Sequence, residues 1–264
     1  MRWPWTRWRR PKCIGLALSG GALRGIAHIG VLEVLEEAGI RPDVVAGTSA
    51  GALVGALYCA GIPLPKIRAE ALDLKWSKIG RVTRPRLGWF DISRMEERVN
   101  ELIGGRTFAE LEIPFAAVAA DILSGEVVVL RQGSVAAAVR ASCSVPGVFT
   151  PCVQGDRLLV DGGLLNNLPV SVTRQMGADY VIAVDLFPAV QRFKPPRHVA
   201  ELAMLAYFNL ALLTHGERDD ADCLIMPQIA HLGIMDFSHA TEFMERGRAA
   251  AEAVLPQLRR DLRL

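Results

Sequence analysis

Two glycine-rich turns near the start of the chain carry residue types and spacings that suit acyl transfer. One of them, Gly47-Thr48-Ser49-Ala50-Gly51, has the G-x-S-x-G form. This form places a serine on a sharp turn between a strand and a helix, where its hydroxyl is exposed to substrate. An apolar run precedes the turn and a small-residue helical pattern follows it, so Ser49 is the candidate nucleophile. A plain flexible turn is the alternative. The rest of this nucleophile elbow comprises Gly47, Thr48, Ala50 and Gly51.

The other glycine-rich turn, Ser19-Gly20-Gly21-Ala22-Leu23-Arg24-Gly25, lies upstream. Ala22 replaces the middle glycine of a dinucleotide fingerprint, and Ile26 stands where a phosphate-binding P-loop has lysine. Two interpretations remain. The turn is either an ordinary tight turn or an oxyanion hole, in which successive backbone N–H groups converge on a developing negative charge. Arg24 would brace the loop or add positive potential. The predicted oxyanion-hole residues are Gly20, Gly21, Ala22, Leu23, Arg24 and Gly25.

A carboxylate downstream of both turns is the candidate base. Asp161 ends an apolar run and is followed by Gly162 and Gly163, which form a base loop with open space beside the carboxylate. A carboxylate that is partly removed from water has a raised pKa and can accept the proton of a serine. Asp121 and Asp185 also end predicted strands and are the competing carboxylates.

Histidine is the usual base in α/β-hydrolases, where it follows the nucleophile in the chain. His28 precedes Ser49 and is expected to be a packed residue of the first helix. The later histidines carry no recognisable motif. A Ser-His-Asp esterase or thioesterase that uses one of them therefore stays open as an alternative. These later histidines are His198, His215, His231 and His239.

The elements around the two turns alternate between strand and helix. Strands are predicted over residues 14–18 and 44–46, and helices over residues 25–39 and 50–59. This order indicates βαβ units and a mostly parallel sheet. Residues 75–89 are basic and are predicted to be a mobile connection. Ser93 and Glu96 are predicted to form a capping box for the next helix. Further strands are predicted over 115–120, 127–130, 158–160, 181–184 and 224–226, and further helices over 66–74, 93–103, 135–141 and 242–258, with one opening at Pro169.

Composition bounds the class of protein. The 264 residues are 51% hydrophobic with a net charge of +2, which favours a large core and argues against a nucleic-acid binder. Residues 1–12 hold five basic residues, three tryptophans and no acid. Tryptophan and arginine together suit the headgroup layer of an anionic membrane; a flexible tail is the alternative. The predicted organisation is this leader followed by one domain over residues 13–264.

Cysteine usage and hydropathy bear on the compartment. The five cysteines are scattered without a CxxC, so neither a disulfide framework nor a zinc site is indicated, and a reducing compartment fits. No apolar stretch reaches the ~18 residues of a membrane-spanning helix. Residues 199–213 are apolar nearly all round and are expected to form a buried core helix. An acyl-pocket wall, a membrane-contact face and a dimer face are the alternatives.

Three ordered motifs together resemble a known family. The runs Gly20–Gly25, Gly47–Gly51 and Asp161–Gly163 are similar to those of the patatin-like phospholipases, in particular small bacterial members and the catalytic domain of neuropathy target esterase. The resemblance implies an α/β fold, a three-layer α/β/α sandwich with a mostly parallel central sheet. It also implies a Ser49–Asp161 dyad without histidine, metal or cofactor. Ala22 departs from the family's usual third glycine.

The resulting expectation is a serine acyl hydrolase of the lipase, phospholipase or lysophospholipase type. It would cleave fatty-acyl esters of lipids through a covalent acyl-enzyme, which splits the hydrolysis into two easier steps. The expected partner is a lipid or lysophospholipid substrate and no nucleic acid. The expected localisation is cytoplasmic, and peripheral contact with the inner face of an anionic membrane stays open. A catalytically dormant lipid-binding protein is the alternative from another class.

Overall fold

The computed structural model describes residues 12–83, 87–187, 195–196, 199–213 and 215–264. Nearly all of the predicted leader lies outside these ranges, as does His198, and the side chain of His215 is not described either. The division into a leader and one following domain therefore stays a prediction.

A mixed sheet forms the centre of the described chain. The strand order is β10-β9-β1-β2-β5-β8-β7, and β6 pairs with β5. The neighbours from β10 to β5 are parallel, whereas β6, β8 and β7 are joined by antiparallel pairing. A separate two-stranded hairpin is formed by β3 and β4. The strands are β1 Ile14–Leu18, β2 Val44–Thr48, β3 Arg81–Val82, β4 Phe90–Asp91, β5 Phe115–Asp121, β6 Glu126–Leu130, β7 Cys152–Gln154, β8 Arg157–Asp161, β9 Tyr180–Val184 and β10 Cys223–Ile225.

Helices cover both faces of this sheet. Alternate residues of β1 point to opposite faces, so Leu16 and Leu18 join the larger core while Ala17 packs with Val170 on the other side. The result is the predicted three-layer α/β/α architecture. No helix within the described ranges has the length and apolar character needed to cross a membrane. The helices are α1 Ala27–Glu37, α2 Ala50–Cys59, α3 Leu64–Leu72, α4 Trp76–Ile79, α5 Ser93–Ile103, α6 Val135–Ser142, α7 Val170–Gln175, α8 Val199–Leu213 and α9 Ala240–Leu262.

The strand register brings the three predicted motifs to one edge of the sheet. Leu18 at the end of β1 lies opposite Gly47 in β2, so the two glycine-rich turns leave the sheet side by side. Thr48 lies opposite Val118 in β5, and the next residue of β5, Ala119, lies opposite Asp161 at the end of β8. The candidate nucleophile and base therefore emerge at nearly the same level, although β8 runs against β5.

Two local predictions were wrong, and one strand was missed. The described part of residues 75–89 forms α4 and the β3–β4 hairpin rather than a mobile connection. Ser93 does not cap α5: the Asp91 carboxylate accepts the Ser93 N–H at 2.6 Å and satisfies this helix end from two residues upstream. Strand β7 was missed because Cys-Val-Gln is short and lies at the sheet edge, where pairing with β8 decides its conformation.

Helix α8 is also not the buried core helix that its sequence predicts. One face is buried, through Met204, Tyr207, Phe208 and Ala211. The opposite face leaves four apolar side chains at least half exposed: Val199, Leu202, Leu210 and Leu213. An all-round apolar pattern cannot distinguish these two cases, because only the neighbouring elements decide which face is covered.

Candidate active site

The turn between β2 and α2 holds Ser49 in an unusual backbone conformation. Its φ of 52° and ψ of −121° lie in a region that residues other than glycine rarely adopt. A Cβ at Gly47 would overlap the Gly51 carbonyl, and a Cβ at Gly51 would overlap the Leu18 carbonyl. Both elbow glycines are therefore required by close backbone approach. Thr48 ties the turn to the segment after the base loop, because its Oγ1 donates to the Asn166 carbonyl at 3.0 Å.

The end of α6 braces the elbow. Ser142 Oγ accepts the backbone N–H of Ser49 at 2.8 Å and donates to the Val118 carbonyl at 2.6 Å. All three residues are buried. One hydroxyl thus links the nucleophile turn, the helix α6 and the strand β5, and holds Ser49 in its unusual conformation.

The first glycine-rich turn packs directly against the elbow. A Cβ at Gly20 would lie 3.1 Å from Ser49 Cβ, and a Cβ at Gly25 would overlap Ala50. The N–H of Gly20 donates to Asn167 O at 3.1 Å, and that of Leu23 donates to Ile234 O at 3.2 Å. These two groups are therefore committed to protein acceptors.

The remaining donors of this turn lie at Gly21 and Ala22. The Arg24 N–H bonds back to the Gly21 carbonyl at 3.1 Å, and Gly25 lies inside the 3-10 turn Ala22–Ile26. Within the described ranges, the N–H groups of Gly21 and Ala22 donate to no acceptor. Both residues line the same cavity as Ser49. The six predicted oxyanion-hole residues thus reduce to two candidate donors.

Arg24 braces the turn rather than facing the cavity. Its guanidinium is buried, and Nη2 donates to the Leu232 carbonyl at 3.2 Å. Burial lowers the pKa of Arg24 to about 10. Of the two roles open from the sequence, bracing is the one that these contacts fit.

Ala22 occupies a position that favours glycine. Its φ is 51°, in the left-handed region that costs an alanine roughly 1–2 kcal/mol. The departure from the usual third glycine therefore stores modest strain in the turn, while the backbone N–H is retained.

Asp161 presents one engaged and one unengaged carboxylate oxygen. Oδ1 accepts the Tyr207 hydroxyl at 2.6 Å and the Gly163 N–H at 2.9 Å. Oδ2 is buried and has no hydrogen-bond partner within the described part of the chain. Burial raises the pKa of Asp161 to about 6, while the hydrogen bonds from Tyr207 and Gly163 and the nearby Ser49 hydroxyl oppose that rise. The Ser49 hydroxyl thus lies beside the carboxylate without a well-formed bond to Oδ2, a geometry that commonly tightens when substrate binds.

The two glycines after Asp161 are needed for this arrangement. A Cβ at Gly162 would overlap the Val118 carbonyl, and one at Gly163 would overlap the Tyr207 hydroxyl. Glycine at both positions lets the base loop turn sharply against β5 and lets Tyr207 reach the carboxylate.

The competing carboxylates are engaged in structural contacts. Asp121 accepts the backbone N–H groups of Leu123 and Leu158 and the hydroxyl of Ser124, which lower its pKa against the opposing effect of desolvation. Asp185 pairs with Arg218 and accepts the Phe187 N–H at 2.9 Å.

Three histidine side chains are described, and none of them lines the cavity at Ser49. His28 is buried and contacts the Ser19 carbonyl at 2.9 Å, and burial lowers its pKa to about 4. His231 contacts Glu242, and His239 lies between Asp236 and Glu242.

An apolar cavity of about 190 Å³ opens beside Ser49. Its walls come from the first turn and from α2, α3, α4, α5 and α8, and the charged residues among the described lining are Glu70, Lys78 and Arg98. Apolar walls with a few placed polar groups are typical of a site for a small apolar ligand. The apolar lining includes Leu53, Leu57, Ile67, Leu74, Trp76, Ile79, Met95, Val99, Leu102, Met204 and Phe208.

Comparison with known proteins decides the family. A family profile described as patatin-like phospholipase matches residues 16–174, which is more than half of the chain. The chain belongs to the patatin-like phospholipase family. Its glycine turns, its elbow and its base loop all lie inside the matched stretch.

Relatives of this patatin-like chain carry the names of the neuropathy target esterase (NTE) group. An uncharacterized NTE family protein of Mycobacterium tuberculosis is 34% identical over 92% of this chain and 46% of its own length. The neuropathy target esterase sws of Drosophila melanogaster is 36% identical over 69% of this chain and 13% of its own length. The chain thus spans about half the length, or less, of these curated relatives.

Solved structures share the fold of this patatin-like chain. VipD from Legionella pneumophila aligns with a TM-score of 0.56 at 15% identity, covering 92% of this chain and 67% of VipD. The ExoU chain of an ExoU–SpcU complex from Pseudomonas aeruginosa aligns with a TM-score of 0.50 at 17% identity, covering 94% of this chain and 52% of ExoU.

Two residues at the candidate site of this patatin-like chain were not predicted from its sequence. Ser142 lies inside the stretch that matches the family, so the family match was an available signal. Tyr207 lies beyond the stretch that matches the family, in a helix whose sequence is mostly apolar. Only its long-range contact with Asp161 marks it.

Proposed function

We propose that this chain is a carboxylic ester hydrolase that cleaves fatty-acyl esters of lipids through Ser49 and Asp161. The observation that carries the proposal is the buried Asp161 carboxylate with its unengaged Oδ2 beside the Ser49 elbow and the apolar cavity. A base with a pKa near 6 is largely deprotonated at neutral pH and can still accept a serine proton.

The reaction proceeds in two halves. Ser49 Oγ attacks the acyl carbonyl carbon while its proton passes to Asp161 Oδ2. The resulting oxyanion is held by the N–H groups of Gly21 and Ala22, and donors of this kind each contribute about 3–4 kcal/mol in comparable sites. The tetrahedral intermediate collapses, the ester C–O bond breaks, and the leaving alcohol takes the proton from Asp161.

Water completes the second half. Asp161 takes a proton from a water molecule, which attacks the acyl-Ser49 carbonyl. Collapse of the second intermediate releases the fatty acid and returns the proton to Ser49 Oγ. The acyl chain occupies the apolar cavity in both halves, which fits a phospholipid or lysophospholipid substrate.

The test is hydrolysis of a soluble chromogenic short-chain ester. We expect Ser49→Ala to abolish turnover and Asp161→Asn to lower kcat by roughly 10²–10⁴-fold, the usual range for a general base. Asp121→Asn is the matched control, because Asp121 also ends a strand but contacts only its own turn and β8. Full activity in Asp161→Asn would contradict the dyad.

The alternatives give different results in the same assay. A histidine-dependent esterase or thioesterase would lose activity in His215→Gln, His231→Gln or His239→Gln and retain it in Asp161→Asn. A dormant lipid-binding protein would give no turnover with any ester and no labelling of Ser49 by a fluorophosphonate. We expect none of these outcomes.

We also infer from the sequence that the leader contacts an anionic membrane. Its five basic residues and three tryptophans support this proposal. Deletion of residues 2–10 should weaken binding to vesicles that contain phosphatidylglycerol, and unchanged binding would contradict it.

A further inference from the structure

The segment over residues 74–90 combines positive charge with exposed apolar side chains. It contains five basic residues and no acid, a bias as strong as that of the leader. Its described residues, 74–83 and 87–90, hold α4, β3 and the first residue of β4. We call these residues the basic hairpin.

Four large apolar side chains of the basic hairpin lie on the surface. Val82 and Leu87 are 76% and 63% exposed, and Trp76 and Trp89 are 40% and 42% exposed. Scattered single apolar residues on a surface are ordinary, but several within one short segment, two of them tryptophan, mark a contact surface. Tryptophan beside lysine and arginine is typical of the headgroup layer of a membrane.

The charge of the basic hairpin is only partly neutralised. Asp73 pairs with Lys78 and lies 3.9 Å from Lys75. Asp91 is turned toward the Ser93 N–H, and Arg81 donates to Ser93 Oγ at 3.3 Å. Three basic residues of the basic hairpin, Lys75, Lys78 and Arg81, therefore face two nearby acids, which leaves a net positive charge among the described residues. The sequence adds Arg84 and Arg86, which lie outside the described residues.

The basic hairpin also forms part of the cavity wall. Leu74, Trp76, Lys78 and Ile79 line the cavity that reaches Ser49. The ring of Trp76 packs against Phe237 at 5.6 Å and Phe90 at 6.1 Å, and part of the same ring faces solvent. Trp76 thus lies between the cavity and the outer surface.

We propose that the basic hairpin is the surface by which this protein docks on an anionic lipid bilayer. Lysine and arginine attract the anionic headgroups. Val82, Leu87 and the two tryptophans enter the headgroup layer. Docking holds the cavity wall against the lipid from which an acyl chain would enter. The benefit for turnover rests on the proposed function, whereas the docking itself does not.

The first experiment measures binding alone. The full chain in an Ser49→Ala background is floated with vesicles of phosphatidylcholine, with or without phosphatidylglycerol. We expect binding to the anionic vesicles only, reduced tenfold or more by Lys75→Glu with Arg81→Glu. Val82→Ser with Leu87→Ser should also reduce binding. The matched control is Arg259→Glu with Arg260→Glu: these residues lie near Asp261, which contacts Tyr180 and Lys12 at the opposite edge of the sheet.

Two further arms keep the outcomes distinct. The same variants are floated in the chain that lacks residues 2–10, so that binding through the leader does not mask the hairpin. The hairpin substitutions are also made in the protein that retains Ser49. Hydrolysis of a soluble short-chain ester should be unchanged in these variants, while hydrolysis of vesicle lipid should fall. The proposal is overturned if the full chain does not bind anionic vesicles, or if the charge-reversed hairpin binds like the parent with and without the leader. Neither result depends on whether Ser49 is the nucleophile.

Discussion

At the scale of single residues, Asp161 is held between two opposing effects. Burial disfavours its charged form, and hydrogen bonds from Tyr207 and Gly163 favour it. Their balance places the pKa at about 6, where the carboxylate is both populated at neutral pH and basic enough to take a proton. We propose that Tyr207 is a positioning residue, because its bond to Oδ1 leaves Oδ2 for Ser49.

Removal of the Tyr207 hydroxyl should move the pH profile. In the parent protein kcat/KM should fall tenfold per pH unit below about 6, because the base must be deprotonated. Tyr207→Phe removes a hydrogen bond to the charged form, so this acid limb should move to higher pH by up to about one unit. Tyr58→Phe is the control, since it removes another buried tyrosine hydroxyl that does not contact Asp161. An unmoved acid limb in Tyr207→Phe would contradict the assigned role.

The same burial makes Asp161 costly for folding. The pKa of Asp161 is raised from 3.8 to about 6 in the folded state, so the folded protein holds this proton more tightly than the unfolded chain does. The resulting contribution to the free energy of unfolding is fully present below about pH 4 and is lost as the pH rises through 6. The shift corresponds to about 3 kcal/mol at higher pH. We therefore expect Asp161→Asn to raise the free energy of unfolding at pH 8 by about 1–3 kcal/mol while it removes activity. The gain should disappear near pH 4. Urea unfolding at both pH values measures this change in the free energy of unfolding. A lower free energy of unfolding for Asp161→Asn than for the parent at pH 8 would contradict the expectation.

At the scale of elements, the site depends on where strands and helices end. β2 ends at the Ser49 elbow, β8 ends at Asp161, and α6 ends at Ser142, which ties the elbow to β5. Three element ends that meet at one edge of the sheet therefore position the proposed catalytic residues.

Loss of the Ser142 hydroxyl should affect both stability and rate. Ser142→Ala leaves the buried Ser49 N–H without its acceptor, which costs about 1–3 kcal/mol, and loosens the elbow. We expect kcat to fall by more than KM changes. The neighbouring substitution Ser144→Ala is the matched control, because Ser144 Oγ donates to the Arg140 carbonyl and does not reach the elbow. Equal effects of the two substitutions on kcat would exclude the bracing role.

Elements with a strong local signal were predictable from the sequence. β1, α2 and the two glycine turns follow from apolar runs and from turn residues only a few positions apart. Asp161 was found in the same way, since an apolar run and two glycines surround it. The orientation of α8, the contact of Tyr207 and the edge strand β7 depend on partners far along the chain, so a local pattern carried no information about them.

At the scale of the whole molecule, the proposed catalytic residues and the apolar cavity lie side by side. The sheet edge holds Ser49 and Asp161, and the helices on one face enclose the apolar cavity beside them. The basic hairpin and α8 both line that cavity, and both also carry exposed apolar side chains on their outer sides. This arrangement suits a substrate that resides in a lipid surface.

The cavity predicts a dependence on acyl-chain length. Each methylene buried in an apolar wall contributes about 0.8 kcal/mol, which is roughly a fourfold change in kcat/KM. Across a series of soluble chromogenic esters, kcat/KM should rise with chain length and then level off when the cavity is filled. The charge-reversed hairpin should follow the same curve, because Lys75 and Arg81 do not line the cavity. Selectivity for acetyl esters would show that the acyl chain does not occupy this cavity.

The most direct measurement is the rate at which a fluorophosphonate modifies the intact protein across the pH range, with the modified residue located by peptide mass spectrometry. We expect modification at Ser49, a rate that falls tenfold per pH unit below about 6, and a loss of at least about a hundredfold in Asp161→Asn. Modification of another residue, or an undiminished rate in Asp161→Asn, would contradict a Ser49–Asp161 acyl hydrolase.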